Sequence, residues 1–223
     1  MSADLIISYD GTPNDDDALA LGKLLAQTGA RPALAYVRHT REFDPRREEI
    51  ASHDAKRRLE SGARWFEDPA TPRHVVISSS TGQGLLQLAA QEGASVIVFG
   101  SDYRTPPGRA EPGNTAQRLL DGGPVAVAVA AAGLRAQTDA KIESIVAFGP
   151  EEDAAVAETA QSLADKLGAT LSPNGAGHAD LIVVGSPPTG GEGRTGVSGL
   201  HRSLLNTALG SVLVLPYGKP VVL

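Results

Sequence analysis

The sequence predicts an α/β chain whose parallel sheet is covered by helices and built twice in tandem. Three observations predict it. Short apolar runs rich in Val, Ile, Leu and Ala alternate with segments of helical spacing, the pattern of strand–helix–strand units. Two of those runs end in the same Gly-Ser pair: Val96-Ile97-Val98-Phe99-Gly100-Ser101 and Leu181-Ile182-Val183-Val184-Gly185-Ser186. Each is followed by a loop rich in Gly, Pro and Arg, a Leu-Leu segment and a second apolar run, Val125–Val129 in one case and Val212–Leu215 in the other. Recurrence in that order marks an internal duplication.

The elements follow in chain order. Leu5–Tyr9 is a strand that ends at Asp10-Gly11-Thr12-Pro13. Thr12 or Asn14 can cap the next helix, and Asp15, Asp16 and Asp17 suit its first turn, where the helix dipole favours negative charge. Ala18, Leu21, Gly22 and Leu25 recur at helical spacing before Gly29 stops the helix. Ala33–Val37 is a second strand. The charged segment from Arg41 to Phe66 reads as loop plus helix, anchored by Ile50, Leu59, Trp65 and Phe66. His74–Ser78 is a third strand, and a hydroxyl-rich loop then opens a helix carrying Leu85, Leu86, Leu88 and Ala89. Val96–Phe99 and Val125–Val129 complete a five-stranded first domain over residues 1–133.

Residues 134–141 read as a polar linker, after which the pattern restarts as a second repeat over 142–223. Ile145–Phe148 matches the first strand, and Glu151–Gly168 is a helix with the stripe Val156, Ala160, Leu163 and Leu167. Asp10 and Gly100 lie 90 positions apart, but Gly149 and Gly185 only 36, so the second copy lacks the charged helix, the third strand and the helix after it. Such a remnant buries too little surface alone and is expected to lean on the first copy.

Composition narrows the function. A net charge of −6 argues against nucleic acid or an anionic membrane as the main partner. No stretch approaches the roughly 18 apolar residues of a membrane span. The start, Met1-Ser2-Ala3-Asp4, has no basic stretch or secretory apolar region. Cysteine is absent, which removes disulfides, thiol catalysis and Cys-based zinc sites, so a cytoplasmic protein is expected. His39, His53, His74, His178 and His201 lack metal-ligand spacing and read as surface or loop residues; no metal site is expected.

The stretch "LIISYDGTPNDDDALALGKLLAQTGARPALAYV", together with "GASVIVFGSDYRTPPGRAEPGNTAQRLLDGGPVAVAVA", resembles the opening and closing parts of a universal stress protein domain. "HADLIVVGS" and "SGLHRSLLNTALGSVLVLP" resemble the same closing part in a degenerate, truncated second repeat. The resemblance covers residues 4–130 almost continuously and 142–216 with a gap. It implies a Rossmann-like fold of the adenine nucleotide alpha hydrolase-like type. It also implies pairing of domains through their final strands, here Val125–Val129 and Val212–Leu215, and makes a homodimer or a protein partner plausible. Its nucleotide-binding members place Gly, two residues, Gly, nine residues, Gly and a hydroxyl residue after the fourth strand. Here that frame reads Gly100, Tyr103, Gly113 and Asn114, with Ser101 beside the first glycine and Thr115 one position on. Tyr103 replaces the middle glycine, where it could obstruct a phosphate or stack on a base. Asn114 can cap the following helix, and Arg104 and Arg109 can offset phosphate charge.

By the same resemblance Asp10, with Gly11, contacts adenine or ribose, and Val37 lines the adenine pocket. The expected ligand is ATP or another adenine nucleotide, with Mg2+, bound weakly or with altered preference by a regulator or sensor in the stress response. Hydrolysis would be slow at most, since no general base is identifiable. The alternative from a different class is a relative that binds no nucleotide and works through protein contacts. A minor third reading comes from "PNDDDALAL", which resembles the calcium-binding start of nucleoside hydrolases. A helix turns about 100° per residue, so it spreads Asp15, Asp16 and Asp17 apart, and a solvated helix start is the better account. In the second copy Gly149-Pro150 replaces Asp10-Gly11, and Gly190–Gly196 reads as a flexible glycine-rich loop.

Overall fold

A computed structural model describes residues 2–150, 153–173, 178–199, 202 and 209–223. The first half runs β1 (Leu5–Ser8), α1 (Pro13–Ala26), β2 (Pro32–Arg38), α2 (Pro45–Ala63), β3 (Arg73–Ile77), α3 (Thr81–Glu92), β4 (Val96–Phe99), α4 (Asn114–Leu120) and β5 (Ala126–Val129). A 3-10 turn at Leu134–Ala136 leads to β6 (Ser144–Phe148), α5 (Ala154–Leu167), β7 (Thr170–Pro173), β8 (His178–Gly185) and β9 (Leu209–Leu215). The helix read around Leu204-Leu205 lies outside the described residues.

The strands form one sheet in the order β3-β2-β1-β4-β5-β9-β8-β6-β7. Within each half every pairing is parallel; β5 and β9 alone meet antiparallel, with Val127 opposite Val214, Ala128 opposite Leu213 and Val129 opposite Val212. The seam therefore falls where the two apolar runs were expected to meet. The order β9-β8-β6-β7 repeats β5-β4-β1-β2, and β3 has no counterpart. The sheet is buried on both faces, which is why its strands read as unbroken apolar runs rather than alternating ones. Leu5, Ile7, Val98, Ala128, Leu213 and Leu181 lie in one core, and Ile6, Ile97, Val127, Val212 and Ile182 in the other. Both cores thus cross the seam, so the second half rests on the first.

Three expectations are corrected. Ile50 is 63% exposed and anchors nothing; α2 packs through Ala55, Leu59, Gly62 and Ala63. Small residues carry that face, and a count of large apolar side chains misses them. The helix start is not simply solvated, because Asp17 is 1% exposed. Its carboxylate accepts the N–H groups of Gly133 (3.0 Å) and Arg135 (2.8 Å) and the Arg135 guanidinium (2.6 Å). The segment read as a linker is consequently tied to α1 at its start, and its Leu134 is buried. Among the described residues no helix is long and apolar enough to cross a membrane.

Candidate functional site

In a parallel sheet of this kind ligands sit beyond the carboxyl ends of the strands where the strand order reverses. That point lies between β1 and β4. On the β1 side the chain turns through Gly11 at φ +89°, a left-handed conformation that favours glycine. Arg58 of α2 stacks over the Tyr36 ring at 5.1 Å and donates to the Asp10 carbonyl at 2.6 Å, fixing the turn from outside. The Asp10 carboxylate accepts from Thr12 N–H (3.1 Å). Asp15 turns back to accept from the N–H groups of Asp10 (3.0 Å) and Thr12 (3.2 Å) and from the Thr12 hydroxyl (2.9 Å). Burial, reinforced by the Asp10 carboxyl hydrogen-bonded to it, pushes Asp15 up to about 7. The bond from Asp15 holds Asp10 below the usual carboxylate range. Asp10 is itself exposed and is the acidic group this turn presents.

On the β4 side a Cβ at Gly100 would overlap the backbone carbonyl of Asn14, so this glycine permits the close approach of α1. Ser101 is buried, and its hydroxyl is committed to the protein: it donates to the Ala130 carbonyl (2.7 Å) and accepts from Glu111 N–H (3.1 Å). Asn14 donates to the Ser101 carbonyl at 3.0 Å, which ties α1 to this loop a second time. Tyr103 is 71% exposed, with the Arg104 guanidinium 4.9 Å over its ring.

The third group sits at the start of α4. Gly113, not Asn114, is its N-cap residue, and Asn114 takes the first helical position. A Cβ on Gly113 would meet nothing within 4 Å, so the space beside this helix start is open. Helix starts leave N–H groups without intrahelical partners, and those groups favour anions. Val37 lies on β2 beneath α3, where a Cβ on Gly84 would come within 3.1 Å of it. A cavity of about 360 Å3 opens on this face of the sheet between the starts of α3 and α4, lined by His39, Ser79, Ser80, Thr81, Thr115 and Arg118 among others. Of the residues expected from the sequence, Thr115 lines it. His39 and Arg118 were not expected there; the hydroxyl-rich loop after the third strand was the available signal.

The second half repeats the loop architecture. Ser186 donates to the Leu215 carbonyl 29 residues on and accepts from Gly196 N–H ten residues on, the spacings found at Ser101. Gly108 N–H to Ala132 and Ala132 N–H to Arg109 recur as Gly193 N–H to Tyr217 and Tyr217 N–H to Arg194. The Gly190–Gly196 segment, expected to be a plain flexible loop, is docked. Thr195 is buried, with its hydroxyl on the carbonyls of Leu119 (2.6 Å) and Gly123 (3.1 Å).

Fold and loops together define a duplicated, Rossmann-like α/β protein with its loops gathered at the switch points. The universal stress protein family matches residues 1–131, and the chain belongs to that family. It is similar in structure to a universal stress protein from Archaeoglobus fulgidus DSM 4304, with a TM-score of 0.71 and 14% identity over 95% of this chain and 97% of that one. It is also similar to a protein from Pseudomonas aeruginosa UCBPP-PA14, with a TM-score of 0.66 and 16% identity over 97% and 94%. At these identities the likeness concerns the fold. No curated protein matches the chain in sequence.

Proposed function

We propose that this universal stress protein binds one adenine nucleotide at the carboxyl edge of its first half and acts as a cytoplasmic sensor or regulator. The observation that carries the reading is the open start of α4 at Gly113, on the same edge of the sheet as the Asp10 turn and the end of β2. The α4 N–H groups suit phosphate and the exposed Asp10 suits a ribose hydroxyl. Mg2+ accompanies ATP as the counter-ion of its phosphates. Because the Ser101 hydroxyl is spent within the fold, fewer side chains contact the ligand and affinity is modest. The test is thermal unfolding with and without millimolar ATP and Mg2+. Ligand bound only to the native state raises the melting temperature, and Gly113→Val removes the rise by filling the open space. No shift in the wild type overturns the reading.

One observation favours a second reading, a scaffold that binds no nucleotide and acts through a protein partner or a homodimer. The stitching of the Ser101 loop recurs at Ser186, in a half without the Asp10 acid, so the loop keeps its form for the sake of the fold. A flat nucleotide titration alongside self-association in sedimentation would select it.

A further inference from the structure

We infer that the cavity between the starts of α3 and α4 is an anion subsite for a phosphate monoester, with Arg118 as its cation and the His39 imidazole as a hydrogen-bonding group beside it. The chain carries 26 acidic and 20 basic residues, so a random patch of its surface contains carboxylates. Among the described residues none lines this cavity; its charged and titratable side chains are Arg118 and His39 alone. Neither side chain has a hydrogen-bond or ion-pair partner among the described residues, although acids elsewhere claim Arg31, Arg38, Arg57 and Arg135. A guanidinium left unpaired beside hydroxyls matches phosphate, which accepts several hydrogen bonds at once and carries the opposite charge.

The rest of the lining supplies those hydrogen bonds. Ser79 and Ser80 come from the turn after β3, Thr81 from the start of α3, and Thr115 from the first turn of α4. Ser80 uses its oxygen to accept from Gln83 N–H at 3.3 Å, and its hydroxyl hydrogen stays available. The two helix starts are held together, since a Cβ on Gly82 would lie 3.5 Å from Leu119 and 3.7 Å from Thr115. About 360 Å3 accommodates a phosphate with part of the molecule that carries it. None of these residues belongs to the loop after β4; Thr115 and Arg118 come from the helix that follows it. The subsite therefore adds a second phosphate contact region to the edge described above, and its nucleotide form rests on the proposed function. The same chemistry fits orthophosphate.

The test is calorimetric titration at low salt with adenosine, AMP and orthophosphate, on the wild type, Arg118→Ala and Arg57→Ala. Arg57 sits on α2 in an exposed pair with Asp54 and controls for the loss of one positive charge. The expected result is that AMP binds the wild type about tenfold or more tighter than adenosine, as a charged hydrogen bond provides. Arg118→Ala erases that preference and Arg57→Ala keeps it. Orthophosphate binding that Arg118→Ala abolishes, with adenosine and AMP both silent, also upholds the subsite while removing the adenine reading. Equal binding of AMP and adenosine, or a preference that survives Arg118→Ala, overturns the subsite and leaves the adenine reading standing. Silence of both AMP and orthophosphate overturns the subsite as well.

Discussion

The two halves share the seam, the strand order and the serine-stitched loop, and differ in the elements that surround them. Each ends its inner parallel strand in Gly-Ser, each serine stitches its loop to the end of the final strand, and in each an acid of the leading helix accepts from the glycine that follows, Asp17 from Gly133 and Asp153 from Gly218. Among the described residues the second half has no counterpart of the Asp10 turn, α2, β3 or α3. What recurs is therefore what a β5–β9 seam needs, and what is unique to the first half includes the groups assigned to the proposed nucleotide site. The Gly-Ser pair, which in sequence suggests a phosphate loop, belongs to the former.

Substitutions at equivalent positions sharpen the comparison, beginning with the glycines. Gly100→Ala places its methyl on the backbone of Asn14, which cannot move without displacing α1, and should cost about 3 kcal/mol or more. Gly185→Ala meets the buried Val156 side chain at 2.4 Å and the Gly149 backbone at 3.3 Å, and because a side chain gives way more readily than a helix backbone it should cost less, about 2 kcal/mol. Urea denaturation midpoints measure both, and equal losses would break the distinction. Asp17→Ala comes next. It strands Arg135 and two N–H groups and should lower stability by about 3 kcal/mol, with Asp17→Asn recovering part of the loss. Ser101→Ala and Ser186→Ala each leave a buried carbonyl and an N–H unpaired, so each should cost about 1–3 kcal/mol, and the two should agree. A large gap between them would mean that the seam is not symmetric in energy.

The pH dependence also separates the halves, because among the described residues the Asp10–Asp15 pair belongs to the first. Asp15 holds its proton up to about 7 in the folded chain, whereas the unfolded chain releases it near 4. The folded state then binds more protons in that window, so this group's stabilisation is complete below pH 4 and is lost as pH rises through 7. Asp10, shifted downward, acts only at the acid end, where its contribution disappears as pH falls below its ordinary value. Melting temperature should thus decline between pH 5 and pH 8 by more in the wild type than in Asp15→Asn.

The strands other than β7 were legible in the sequence because unbroken apolar runs such as Val96–Phe99 and Leu181–Val184 admit few other environments, whereas the seam followed from the family resemblance and the short β7 (Thr170–Pro173) gave no such run. The destination of Asp17 was not legible, since its partners at Gly133 and Arg135 lie more than a hundred residues away and are recruited by tertiary packing. Nor was the work of Gly100, because a glycine that admits a helix and one that admits a phosphate look alike in sequence. His39 and Arg118 escaped notice for a similar reason. They come from the turn after β2 and from α4, and only the sheet order brings them to one cavity.

The central claim is that the duplication carries one ligand site, in the first half. Equilibrium binding of ATP with Mg2+ to the full chain tests it most directly. One nucleotide per chain should bind, retained in Ser186→Ala protein that remains folded and lost in Gly113→Val. Two nucleotides per chain, or none, would contradict it.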